Sequence, residues 1–152
     1  MTRLRNLYGI VCKYNIAKDH FQNALAAVKK LKSEDLQHQH MGFIYIDMGW
    51  MYLNQGACYE QNALEVFGMG LFNACPDRLV DAFRGMGLAY YGLEEWDHAI
   101  EAFQKSIARS TDLTQNKRES ELHVGQVYVA STYIEKCRAL PLHVGPEKRT
   151  EF

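Results

Sequence analysis

Proline is scarce in this 152-residue chain: there are three, and none precedes Pro76. An interior proline removes a backbone donor and clashes with the preceding turn, so its absence leaves the N-terminal half free to form long helices. Charge of one sign is equally scarce. Seventeen lysines and arginines stand against eighteen aspartates and glutamates, a formal charge of −1. With no basic stripe to contact phosphates, no nucleic-acid partner is expected. No apolar run reaches the ~18 residues of a bilayer-spanning helix and no basic-then-apolar leader opens the chain, so a soluble, cytoplasmic protein without membrane insertion is expected. Cys12, Cys58, Cys75 and Cys137 lack the paired spacing of zinc or redox sites. They read as reduced thiols acting as small hydrophobes.

Catalytic signatures are missing too. Nucleophile elbow, phosphate loop and metal-binding helix motif are all absent, so neither enzymatic activity nor a cofactor is expected. Gln37-His38-Gln39-His40 is the most metal-like phrase, but two histidines two residues apart on a helix point to different faces, and a solvated loop is the expectation there. Asp47 stands out as a lone charge in an apolar stretch and is expected to pair with Arg84 or a tyrosine hydroxyl.

What the chain does have is repetition. A hydrophobe, a second small or apolar residue and a tyrosine recur as Ile10-Val11 with Tyr14, Met48-Gly49 with Tyr52, Met86-Gly87 with Tyr90, and Val124-Gly125 with Tyr128. Positions 11, 49, 87 and 125 differ by one constant step of 38, as do the tyrosines. Such a period marks a stack of similar units. A second apolar phrase follows in the first three: Ala24, Val28 and Leu31; Ala63, Phe67 and Gly70; Ala99, Phe103 and Ser106. Steps of four and three draw one stripe of a helix, and a small residue one turn before a large one lets two helices approach and interlock. Each unit is therefore expected to be a helical hairpin, with Gly49, Gly87 and Gly125 at close helix contacts.

The third unit, with Phe83, Met86, Gly87, Tyr90, Ala99, Phe103 and Ser106, resembles the tetratricopeptide repeat, as does the second with Tyr45, Met48, Gly49, Tyr52, Ala63 and Phe67. The second unit carries two extra residues between tyrosine and alanine, assigned to its turn. The first unit, with Leu7, Ile10, Val11, Tyr14 and Ala24, and the fourth, with Val124, Gly125 and Tyr128, match more weakly. The resemblance implies an all-α superhelical array of antiparallel hairpins, about seven helices near 3–15, 20–32, 36–54, 59–74, 77–92, 95–109 and 115–139. Its domain would span 1–140, in units of about 4–41, 42–79 and 80–117 with a capping helix at 118–140, and a tail at 141–152.

In that family the first helix of each hairpin lines a concave face. Carried over by the 38-residue step, the lining would be Tyr8, Cys12 and Asn15; Ile46, Trp50 and Leu53; Arg84, Leu88 and Tyr91; and Leu122, Gln126 and Val129. Nine of these are apolar or aromatic, which suits a polypeptide segment with apolar side chains and leaves only Asn15 and Arg84 for a carboxylate clamp. Alternatively, neighbouring units cover the stripe and it is core. The expected function is a protein-binding module, chaperone- or adaptor-like, similar in groove character to chaperones of hydrophobic secretion substrates. The competing expectation is a regulatory or self-assembling segment of a larger repeat protein, a homodimer included, since Tyr133, Ile134 and Cys137 leave the last helix apolar.

Overall fold

The computed structural model describes residues 2–72 and 74–140, with side chains from Lys13 onward. Among the described residues the structure is all-helical: α1 (Thr2–Val28), α2 (Glu34–Gln55), α3 (Glu60–Gly70), α4 (Pro76–Gly92), α5 (Trp96–Ser110) and α6 (Gln115–Ala139). None of these helices is long and apolar enough to cross a membrane.

Local chemistry accounts for the boundaries. Ser33 caps α2, its hydroxyl accepting from the Leu36 amide, and Glu34 and Asp35 complement the positive end of the helix dipole. Pro76 opens α4 at a position where its missing donor is harmless. The two residues inserted in the second unit are shared between helix and turn. By the 38-residue step, α2 ends one residue later than α4, and its loop, residues 56–59, is one longer than residues 93–95.

The first unit departs from expectation. Segments 3–15 and 20–32, expected as two helices, run together as the single helix α1 up to Val28, so the described residues form six helices rather than seven and the first unit is no hairpin. Between them lies Ile16-Ala17-Lys18-Asp19, with neither glycine nor proline. Once nucleated, a helix propagates until something stops it. Lys29 and Lys30 sit in the turn after α1. His38 and His40 belong to α2, not to a loop.

Helices adjacent in sequence pack antiparallel. Gly42 approaches Gly70, and Gly49 faces Phe67, across α2 and α3; Gly87 faces Phe103, and Tyr90 stacks on His98, across α4 and α5. Alternate helices α2 and α4, and α4 and α6, run parallel: Asp47 meets Arg78 and Trp50 meets Asp81, while Asp77 meets Lys117 and Arg84 meets Glu121, so both partners advance together. The centre is the fully buried ring of Phe67. A β-carbon at Gly49 would lie 2.5 Å from that ring, and one at Gly85 of α4 would also collide with it. Trp50 closes the third side edge-on, with ring centroids 5.7 Å apart. Phe103 repeats the device: Gly87 gives it room and Tyr128 of α6 stacks on it at 5.0 Å. Ser106, expected only to be small, also donates to the Val80 carbonyl at 2.9 Å and so ties α5 to α4.

These notches yield a pair of opposite outcomes. Gly49→Ala and Gly87→Ala push a methyl into an aromatic ring and should each destabilise the protein by about 1–3 kcal/mol. Gly68 lies inside α3 with open space around its Cα. Gly68→Ala should therefore stabilise by roughly 0.5–1 kcal/mol through helix propensity. Urea denaturation of the three variants measures both signs.

Candidate functional site

The parallel helices α2, α4 and α6 share one face, and charge links them across it. Arg78 of α4 pairs with Asp47 of α2, donates to the Phe43 carbonyl at 3.4 Å and lies 5.5 Å over the Phe43 ring. Asp81, one turn on, accepts from the Trp50 indole at 3.0 Å and from Arg84 at 2.9 Å. Arg84 also reaches Glu121 of α6 at 2.5 Å, and its guanidinium sits 5.8 Å over the Trp50 ring. Lys117 of α6 closes the row on Asp77 at 2.6 Å. The Asp77 carboxylate, by hydrogen bond first and charge second, holds the Lys117 ammonium above its usual range.

This ladder contains four carboxylates (Asp47, Asp77, Asp81, Glu121) and three cations (Arg78, Arg84, Lys117), and every member has a partner. Each cation of the ladder is already engaged by a carboxylate, which a guest carboxylate would have to share or displace. Asp47, expected to meet Arg84, pairs with Arg78 instead; Arg84 is committed to Asp81 and Glu121.

Toward the C-terminal ends of α2 and α4 the face becomes apolar and opens into a hollow of about 340 Å³. Trp50, Leu53, Ala57 and Leu88 form most of its wall, with Asn54, Gly56, Glu60 and Gly92 around them. Gly56, at φ +95°, turns the chain out of α2, a backbone conformation in which side chains are strained.

The proposed lining residues do not all meet. Trp50, Leu53 and Leu88 do, in the hollow. Ile46 is 0% exposed, packed against Gly70, and belongs to the core. A stripe on α2 turns with the helix, and residue 46 falls on the α3 side of the line on which 50 and 53 are open. Tyr91 packs edge-on against Trp96 at 5.2 Å and does not line the hollow. Asn15 is exposed on α1; Leu122 and Gln126 lie on α6, Gln126 exposed and neither lining the hollow. The side chains of Tyr8 and Cys12 fall outside the described residues. Asp81, Glu60, Arg78 and Lys117 went unmarked at the level of sequence, although Arg78, Asp81 and Arg84 recur every three residues on one side of α4.

The remaining chemistry is sparse. Among the described residues no group of three histidine, cysteine or acidic side chains is arranged to hold a metal ion. His98 is exposed, bonded to Glu95 at 3.0 Å and stacked on Tyr90. Cys58, Cys75 and Cys137 are free thiols. Comparison with protein-family models, with curated proteins and with solved structures finds no match.

The ladder's rungs should differ in weight. The Arg84 side chain is 22% exposed, and its removal leaves the similarly covered Asp81 and Glu121 short of a partner. Arg84→Ala should destabilise by about 1–3 kcal/mol. Lys117 and Asp77 are 62% and 51% exposed. Lys117→Ala should leave the urea midpoint where it is, since solvent screens such a pair.

Proposed function

We propose that this chain is a non-catalytic helical-repeat module of tetratricopeptide type, which holds a polypeptide segment on the face of α2, α4 and α6 as an adaptor or chaperone does in the cytoplasm. The observation that carries the reading is the hollow. Its apolar wall of Trp50, Leu53 and Leu88 lies partly open beside a row of satisfied ion pairs. A concave apolar site with a few fixed polar groups is the usual setting for side-chain recognition. The 38-residue recurrence and the parallel first helices of the two hairpins support the family assignment.

Trp50 does two jobs. It packs on Phe67 and bonds Asp81, so truncating it disturbs the core as well as the face. Leu88 is the cleaner probe. Peptides selected by display against the wild-type protein should lose about tenfold in affinity for Leu88→Ala, which removes apolar wall without adding charge. Anisotropy titration measures this, with circular dichroism confirming an unchanged fold; equal affinities for the two proteins would refute the reading.

Self-assembly is the second reading, favoured by α6. Val127, Tyr133 and Ile134 are exposed there, Ile134 at 53%, and Leu140 is exposed just after it. Exposed apolar surface on one face of a helix suits a second copy of the chain. Sedimentation velocity tests it: the reading requires a dimer that Ile134→Lys disperses, and a wild-type monomer at high concentration excludes it.

A further inference from the structure

We propose that the hollow at the C-terminal ends of α2 and α4 is a subsite for a basic side chain, lysine or arginine, of the bound polypeptide; this rests on the polypeptide-binding reading above. The wall of the hollow is mostly apolar, with Asn54 and Glu60 as its polar side chains. Glu60, the first residue of α3, is its single charged lining residue, and no lysine, arginine or histidine lines it. One Glu60 oxygen, Oε2, accepts from the Cys58 amide at 2.9 Å, which orients the carboxylate. The other, Oε1, lies beside Gly92, where a β-carbon would sit 3.1 Å from it. That glycine keeps space at the carboxylate.

Helix ends add charge of the same sign. Because α2 and α4 run parallel, their C-terminal ends meet at the rim of the hollow, through Asn54 and Gly56 on one side and Gly92 on the other. Each end carries a partial negative charge, and neither helix has a basic residue in its last turn to offset it. In α5 and α6 the last turns do carry such residues, Arg109 in one and Lys136 with Arg138 in the other. An anion would be repelled here. A wholly apolar guest would desolvate Glu60 without compensation.

A lysine or arginine side chain matches both parts of the site. Its methylene stem fits an apolar wall and its charged head fits a carboxylate. Trp50, Leu53 and Leu88 would cover the stem, and Glu60 would meet the head. A partly enclosed pair is also stronger than one in open water. The guest is thus a segment with a basic residue among apolar ones, opposite in sign to the chain terminus that a carboxylate clamp would hold.

The test uses the full chain and a displayed random peptide library. Enriched sequences are synthesised with both ends blocked, and the conserved basic position is replaced by norleucine, which keeps the stem and removes the charge. Wild type should prefer the lysine peptide over norleucine by about fivefold to tenfold, a preference that falls as salt rises. Glu60→Gln keeps the size and hydrogen-bonding capacity and should abolish the preference; Glu60→Asp, which keeps the charge, should retain it in part. Enriched peptides without a basic residue, or the same preference in Glu60→Gln as in wild type, would overturn the subsite while leaving polypeptide binding intact. If no peptide binds the wild type, the polypeptide reading itself falls.

Discussion

One aromatic ring sets the spacing of this molecule. Phe67 projects from α3 into a slot that exists because Gly49 on α2 and Gly85 on α4 have no side chains. Burying a phenylalanine stabilises by about 1.5–3 kcal/mol, but the slot matters more for position than for energy. Close-packed interiors transmit strain, so a ring held on two sides fixes how far apart its two neighbours lie. The helices it separates are α2 and α4, the pair that carries the hollow. Fully buried alanines at 63, 82 and 89 keep the surrounding contacts short.

Ion pairs across the face depend on that spacing. Asp47 meets Arg78, and Trp50 meets Asp81, because α2 and α4 stand one side-chain length apart with a definite stagger. Once formed, the pairs lock the indole between an edge-on phenylalanine and an overlying guanidinium. The ladder's charged groups are thereby held in place by one another. A pre-organised face loses less side-chain freedom on binding, so a modest contact area can still be selective. The same locking explains why the charged half of the face makes a poor anion site despite two arginines.

Periodic features were legible in the sequence and non-periodic ones were not. The places of Gly49, Gly87 and Gly125 follow from the 38-residue step, and each glycine does sit where a β-carbon would strike a neighbouring side chain. The continuity of α1 has no period to betray it; it follows from the lack of a breaker between two helical stripes. At the site, Trp50, Leu53 and Leu88 could be read from spacing, while Ile46 could not be told from them, because one helix presents its stripe partly to the core and partly outward. The partner of Asp47 was beyond reach for another reason. Arg78 and Arg84 lie six residues apart on one helix, about 9 Å along its axis, and only the stagger of α2 against α4 selects between them.

The last described helix packs differently from the two that share its 38-residue register. In α2 and α4 the marker glycine meets a phenylalanine from the helix that follows, Gly49 with Phe67 and Gly87 with Phe103. α6 has no following helix among the described residues, and its marker face turns back: Gly125 meets Ile107, and Tyr128 stacks on Phe103, both on α5. His123, one step beyond Gly85, is exposed where Gly85 is buried, which fits a helix rotated about its own axis. Two consequences follow from that rotation. The residues that would have extended the hollow, Leu122 and Gln126, do not join it, so the apolar part of the face is confined to α2 and α4. The side of α6 released by the turn carries Val127 and Ile134 into solvent. Covering α5 and exposing a new apolar stripe are thus one geometric event, and the apolar hollow stays between α2 and α4 while the face toward α6 is lined by the charged ladder.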